Sequence, residues 1–201
     1  MYIQVRRTQT FYLFNFNFCL KKSAMTLLLH ICCAPCAIFP IEALRKERND
    51  IAGFFYNHNI HPYSEYLKRK AEVEKYALSA GLKTTYPDYD IKEYFRRVSF
   101  NEEPDKRCVI CWSLRAKKTA QAARDNGFDA FTTTLLGSPY QNQEAVRKVC
   151  EEAADKAGVK FHYEDFRIGF RQAHRKAHES GIYCQNYCGC IFSEKERAEK
   201  I

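Results

Sequence analysis

Leu27-Leu28-Leu29-His30-Ile31-Cys32-Cys33-Ala34-Pro35-Cys36 sets how the rest of the chain is read. A short run of Leu and Ile reads as a buried strand, and the thiols that follow fall where a strand hands over to a loop and then a helix. In an open α/β sheet the loop at a strand's carboxyl end lines the crevice in which sites are built. Adjacent cysteines project in divergent directions, so Cys32 and Cys33 reach one centre only if the backbone wraps around it. A metal cluster gives the backbone something to wrap. Pro35 narrows the loop's options, and Cys36 brings a third thiol toward the same space.

The best partner for this loop lies far along the chain, at Cys108-Val109-Ile110-Cys111. A C-x2-C pair on a turn or helix start can aim two thiolates at one metal. Cys32, Cys33, Cys108 and Cys111 together make four thiolates, the usual complement of a [4Fe-4S] cluster. Zinc is the competitor, although structural zinc sites usually pair C-x2-4-C units instead of using adjacent cysteines.

With 201 residues, 46% of them hydrophobic and 28% charged, the chain is long enough for one domain with a sizeable core. Of its 10 cysteines, five fall in a C-C-x2-C and a C-x2-C group, which in a chain of this size point to a reducing cytoplasm and metal or redox chemistry instead of disulfide staples. The net charge is +8, but residues 1–24 hold four basic residues and no acid, which leaves +4 for the rest. Such a bias is compatible with an RNA-binding face and does not establish one.

The aromatic stretch Phe11 to Leu20 is interrupted by Asn15 and Asn17 and followed by Lys21 and Lys22. It lacks the order of a secretory signal and is too short to span a bilayer, so no membrane association is expected. Met25 directly precedes the first credible strand. The expectation is that residues 1–24 are a non-native or disordered extension and that residues 25–201 form a single α/β domain.

Read in order, the chain alternates. A helix is expected over 39–49, a strand over 51–56 ending in the polar loop Asn57-His58-Asn59-Ile60-His61-Pro62, and a charged helix over 63–80. A strand at 82–86 and a short helix around 94–98 follow, then a charged loop over 101–107 that delivers Cys108. Helical spacing resumes from Cys111 to Asn126. A strand over 128–136 leads into Gly137-Ser138-Pro139-Tyr140-Gln141-Asn142, a helix covers 144–157 with Gly158 as its stop, a last strand spans 159–163 and a last helix 171–179. The alternation predicts a Rossmann-like parallel sheet flanked by helices, with a Cys-rich C-terminal tail.

In that tail, Tyr187-Cys188-Gly189-Cys190 holds two cysteines that can close only a small, strained and easily reduced ring, which suits electron relay; a second metal site or an inert pair are the alternatives. Arg171, Arg175 and His178 recur on one helical face, with His174 alongside and Arg167 one turn earlier. That face could hold phosphates, with Tyr183 or Tyr187 stacking on an extruded base, and a solvated helix is the plain alternative. Lys68-Arg69-Lys70 reads as solvated, and His58 and His61 are candidate proton donors.

Four motifs stand in one order: His30-Ile31-Cys32-Cys33-Ala34-Pro35-Cys36, Cys108-Val109-Ile110-Cys111, Thr132-Thr133-Thr134-Leu135-Leu136-Gly137-Ser138-Pro139-Tyr140-Gln141 and Tyr187-Cys188-Gly189-Cys190. From Met25 to about Glu196 they closely resemble the cobalamin-independent epoxyqueuosine reductase family, QueH. The resemblance implies an oxidoreductase acting at the last step of queuosine synthesis, which deoxygenates the epoxide on the modified wobble base of a tRNA. It implies a [4Fe-4S] cluster held by Cys32, Cys33, Cys108 and Cys111, a redox-active disulfide between Cys188 and Cys190, and an electron donor yet to be identified. Cys36 stands beside these ligands, where it would hold an additional iron or act in electron transfer. The removal of an epoxide oxygen takes two electrons that no resting side chain supplies, so a cofactor must carry them.

Two further readings compete. A cluster-dependent tRNA thiolation enzyme would share the metal and the substrate, but the phosphate loop expected after the first strand is replaced here by Cys32 to Cys36. A zinc-stapled RNA-binding module without catalysis would use the same thiols for structure alone.

Overall fold

The computed structural model describes residues 25–47 and 49–200, so the expectation for residues 1–24 lies outside the described residues. Strand β1 (Thr26–His30) buries Leu27, Leu28 and Leu29 almost completely, as a strand covered on both faces must. It pairs in parallel with β2 (Asp50–Phe54) on one side and β4 (Ala130–Thr133) on the other. Two-residue strands β3 (Thr84–Thr85) and β5 (Lys160–Phe161) form the edges, giving the order β3-β2-β1-β4-β5. The expected parallel α/β sheet is therefore present.

Helices cover both faces. On one lie α1 (Ala34–Lys46), α2 (Tyr63–Ser79) and α6 (Phe170–Glu179); on the other are α3 (Ile91–Val98), α4 (Pro104–Asp125) and α5 (Gln143–Ala157). The chain leaves β1 toward β2 and β3, then returns across the sheet to β4 beside β1. The strand order thus reverses between β1 and β4, the switch point at which crevices open in such sheets. His30 and Thr133, the last residues of those strands, are register partners. The core runs through both layers, with Phe55, Phe131, Leu136 and Phe166 fully buried.

Four expectations are corrected. Helix α1 begins at Ala34 instead of Phe39, because Pro35 fits the first helical turn, where its missing N–H costs nothing. Cys33 is therefore the N-cap and Cys36 lies within the first turn, not in a loop. Helix α4 begins at Pro104 for the same reason, so the loop expected over 101–107 gives way to helix before Cys108, and Cys108 and Cys111 sit three residues apart on that helix. The tail is not simply a tail: Cys190 caps a seventh helix, α7 (Ile191–Ala198). Edge strands are shorter than expected, since each pairs along one side only.

Candidate thiol-rich metal centre

At the carboxyl end of β1 the thiols of Cys32, Cys33 and Cys36 lie within 4.8 Å of one another. The extended backbone of Cys33 turns the chain into α1, and Cys36 comes round on the first helical turn to meet its two predecessors. The Cys32 and Cys33 sulfurs are 3.8 Å apart. Thr134, just past β4, donates its hydroxyl to Cys32 Sγ at 3.2 Å and accepts the Cys32 backbone N–H at 3.0 Å. Gln185, from the segment before the last two cysteines, donates to Cys33 Sγ at 2.9 Å.

Three thiols in contact cannot all ionise. Hydrogen bonds from Cys33 and then Cys36 hold the Cys32 thiol well below its ordinary range, helped by Thr134, while the same contacts push Cys33 and Cys36 upward. Of the three, Cys32 is the thiol whose ionisation the contacts favour.

Beneath it, His30 is buried between the Thr133 hydroxyl at 2.9 Å from Nδ1 and the Tyr56 carbonyl at 3.1 Å from Nε2. A carbonyl only accepts, so Nε2 carries the proton and Nδ1 accepts from Thr133. Burial, with Arg115 nearby, lowers its pKa to about 4 and keeps the imidazole neutral.

Cys108 and Cys111 of α4 are not part of the tight trio; what the two groups share is Arg115, whose charge acts on both Cys111 and Cys32. Burial pushes the Cys108 thiol up to about 11 and Cys111 to about 12, with the charge of Arg107 or Arg115 opposing the rise. Arg115, one turn beyond Cys111 and only 3% exposed, donates to Cys111 Sγ at 3.2 Å. Its charge acts on Cys111, Cys188 and Cys32. A buried guanidinium among sulfurs is costly unless those sulfurs carry negative charge, and this one links thiols from three separate parts of the chain.

The third part is the Cys188-Gly189-Cys190 segment. Cys188 is exposed, Cys190 is buried, and no bond joins them. Gln141 Nε2 approaches Cys188 Sγ at 3.7 Å and is itself oriented by the Trp112 indole, which donates to Gln141 Oε1 at 2.9 Å. Gly189 has φ +144, and a Cβ there would meet Asn59, Ile60 and Arg69 at 3.1–3.3 Å. Its carbonyl accepts the His61 N–H at 2.7 Å.

The family model described as epoxyqueuosine reductase QueH matches residues 27–196. The chain belongs to the QueH family. The epoxyqueuosine reductase QueH of Thermotoga maritima is 41% identical over 183 residues, covering 87% of this chain and 93% of that protein. The protein of the same name from Dehalococcoides mccartyi is 35% identical over 178 residues, covering 88% and 97%. The QueH protein of Helicobacter pylori is 33% identical, and the match spans 86% of this chain and 50% of the longer relative.

For this QueH family member the structure also corrects or refines several sequence expectations. Arg69 is not solvated: it is 2% exposed, paired with Glu65 at 2.7 Å, and donates to the carbonyls of Cys188 at 2.9 Å and Tyr187 at 3.3 Å. His58 and His61 do not stand ready as proton donors. Burial lowers both, His61 to about 4; His58 Nε2 lies 3.0 Å from the Asp88 carbonyl, and neither nitrogen of the His61 ring has a partner.

Tyr187 donates to the His61 carbonyl at 2.6 Å with its ring against Arg69, and Tyr183 lies under Lys68, so both rings already have neighbours. Arg171, Arg175 and His178 are all exposed on α6, opposite Ala173 and Ala177, which pack with Ile38 of α1. Arg115, Thr134, Gln141, Gln185 and Arg69 escaped sequence reasoning, because their roles exist only as contacts between distant segments. The i+4 spacing of Arg115 from Cys111 was the one local signal.

Among the described residues no helix is long and apolar enough to cross a membrane.

Proposed function

We propose that this chain is an epoxyqueuosine reductase that removes the epoxide oxygen from epoxyqueuosine at the tRNA wobble position, the last step of queuosine synthesis. The observation that carries the reading is a group of thiols at the switch point of the sheet, with side-chain donors on Cys32, Cys33, Cys111 and Cys188, in a chain of the QueH family. Work on tRNA places the protein in the cytoplasm.

The residues suit an iron–sulfur centre. Thr134 donates to Cys32, Gln185 to Cys33 and Arg115 to Cys111, hydrogen bonds that favour thiolate ligands and tune a cluster. Cys32, Cys33, Cys108 and Cys111 would hold a [4Fe-4S] cluster, and Cys36, packed against the first two, would hold an additional iron or pass electrons. A bound cluster would supply one-electron chemistry that zinc, which has no redox change, cannot.

Reduction of the epoxide to an alkene consumes two electrons and two protons and releases one water. Oxidation of the Cys188 and Cys190 thiols to a disulfide yields two electrons and two protons, which balances it. Cys188 is exposed and therefore open to an external reductant that restores the pair. Arg69 and the backbone of the 57–61 loop hold this segment in place. Arg171 and Arg175, with His178 at the end of the same face, would bind tRNA phosphates, and Tyr187 would border the base.

The deciding experiment incubates iron-reconstituted protein and reductant with tRNA bearing epoxyqueuosine and follows the nucleoside by mass. Loss of one oxygen is expected. An unchanged nucleoside with a fully loaded protein would refute the assignment. A Cys188→Ser variant should bind the tRNA and turn over poorly.

A further inference from the structure

We infer that His174, His178 and Cys184 form a second metal site, of a kind suited to zinc, that ties the start of the C-terminal cysteine segment to α6. The three side chains each present a ligand atom, all within 4.8 Å of one another. None of them belongs to the thiol trio or to the pair on α4.

His174 and His178 are four residues apart on α6, so their imidazoles stack on one side of the helix. Cys184 arrives from the chain that leaves α6 through the Gly181 turn, where a φ of +64 suits glycine. The ring of His174 is set by Phe170, with centroids 4.3 Å apart, and its Nε2 is buried without a hydrogen-bond partner. A buried imidazole nitrogen left unpaired costs free energy that a ligand bond would recover. Among the described residues the only hydrogen bond of the Cys184 thiol is a weak one to the Ile182 carbonyl at 3.5 Å.

Two nitrogens and one thiolate from three protein side chains match a borderline divalent cation, zinc before calcium or magnesium, which demand oxygen. His178 is exposed, which leaves a fourth position for water. Binding would displace the Cys184 proton into solvent and form a metal–sulfur bond with no change of oxidation state.

The placement gives the ion a consequence. Residue 184 is followed by Gln185, whose amide donates to Cys33 at 2.9 Å, and soon after by Cys188 and Cys190. An ion on Cys184 therefore anchors the approach to both thiol groups from one side, as Arg69 does from the other. An ion on His178 would occupy the imidazole proposed above for phosphates, so that role would then fall to Arg171 and Arg175 alone.

The test uses the full-length protein, stripped with chelator, reconstituted with iron, titrated with Zn2+, and analysed for zinc and iron per chain after desalting. The readout is the difference between wild type and variants, so it does not depend on what the other thiols hold. His178 is exposed and Cys184→Ser is nearly isosteric, so both variants should fold. Cys184→Ser and His178→Ala should each bind one zinc fewer than wild type while iron stays the same. With Co2+ as the probe, the sulfur-to-metal charge-transfer band of this site should vanish in both Cys184→Ser and His178→Ala. Equal zinc in wild type and both variants, or a parallel loss of iron, would overturn the inference.

Discussion

At Cys32 a single hydroxyl does two jobs. Thr134 accepts the residue's N–H and donates to its sulfur, which fixes the backbone of the thiol turn and favours the thiolate together. Thr134→Val keeps the shape and removes both bonds. Outer hydrogen bonds of this kind are worth about 10–100-fold in metal affinity, so the variant should lose iron to a competing chelator within that range while its unfolding midpoint falls only modestly.

His61 makes the opposite kind of case. Its ring lies against Phe95 at 4.8 Å and Tyr94 at 5.1 Å, and burial lowers its pKa from 6.5 to about 4. As pH falls, the unfolded chain takes the proton first. The stability associated with His61 is therefore complete above pH 6.5 and is lost progressively down to about 4, with a slope of up to about 1.4 kcal/mol per pH unit. Urea midpoints measured against pH should show His61→Phe binding about one proton fewer on unfolding in that window. An unchanged slope would mean that the ring is not held neutral.

At the scale of elements, α1 and α6 are brought together by a glycine. A Cβ on Gly169, just before α6, would lie 1.9 Å from the Phe39 ring of α1. Gly169→Ala should destabilise the fold by about 1–3 kcal/mol, and Phe39→Leu in the same chain should recover part of that loss, a double-mutant cycle readable by urea denaturation. Arg69 joins α2 to the cysteine segment through two carbonyls. Arg69→Met removes those donors while keeping much of the bulk. Leaving the two carbonyls without a donor, and Glu65 with only the Tyr183 hydroxyl, costs about 2–4 kcal/mol locally, seen as faster amide exchange over 187–190 with little change in the β1 amides.

The centres of the longer elements were legible in the chain, because burial on two faces writes a continuous apolar run at Leu27 to Leu29 and Gly158 marks the end of α5 with a positive φ. Their starts were less so. Pro35 and Pro104 look like helix breakers in isolation, and only the first-turn position makes them initiators.

For the whole molecule, the charge proposed to face RNA is modest and local. Arg171 and Arg175 project from the exposed side of α6, on the same face of the sheet as α1, whose first turn carries Cys36. Arg171→Gln and Arg175→Gln should each weaken tRNA binding and reduce the slope of log affinity against log salt by about 0.7–0.9, measured with and without the modified base. A slope that does not move in either variant would place the polynucleotide on another surface.

The alternation of apolar runs and helical spacing, the family motifs and the identity of the thiols could all be read along the chain, because each depends on residues close together in sequence or on side-chain chemistry that travels with the residue. The chain could not show which thiol bears the charge, that Arg69 and Arg115 are buried among the cysteine segments, or that His174, His178 and Cys184 meet. Those facts follow from the reversal of strand order between β1 and β4 and from the packing of α6 on α1, which bring together groups up to about 150 residues apart, as with Gln185 and Cys33. A hydrogen bond or a desolvation cost depends on distance in space, and that distance exists only once the sheet has closed its layers.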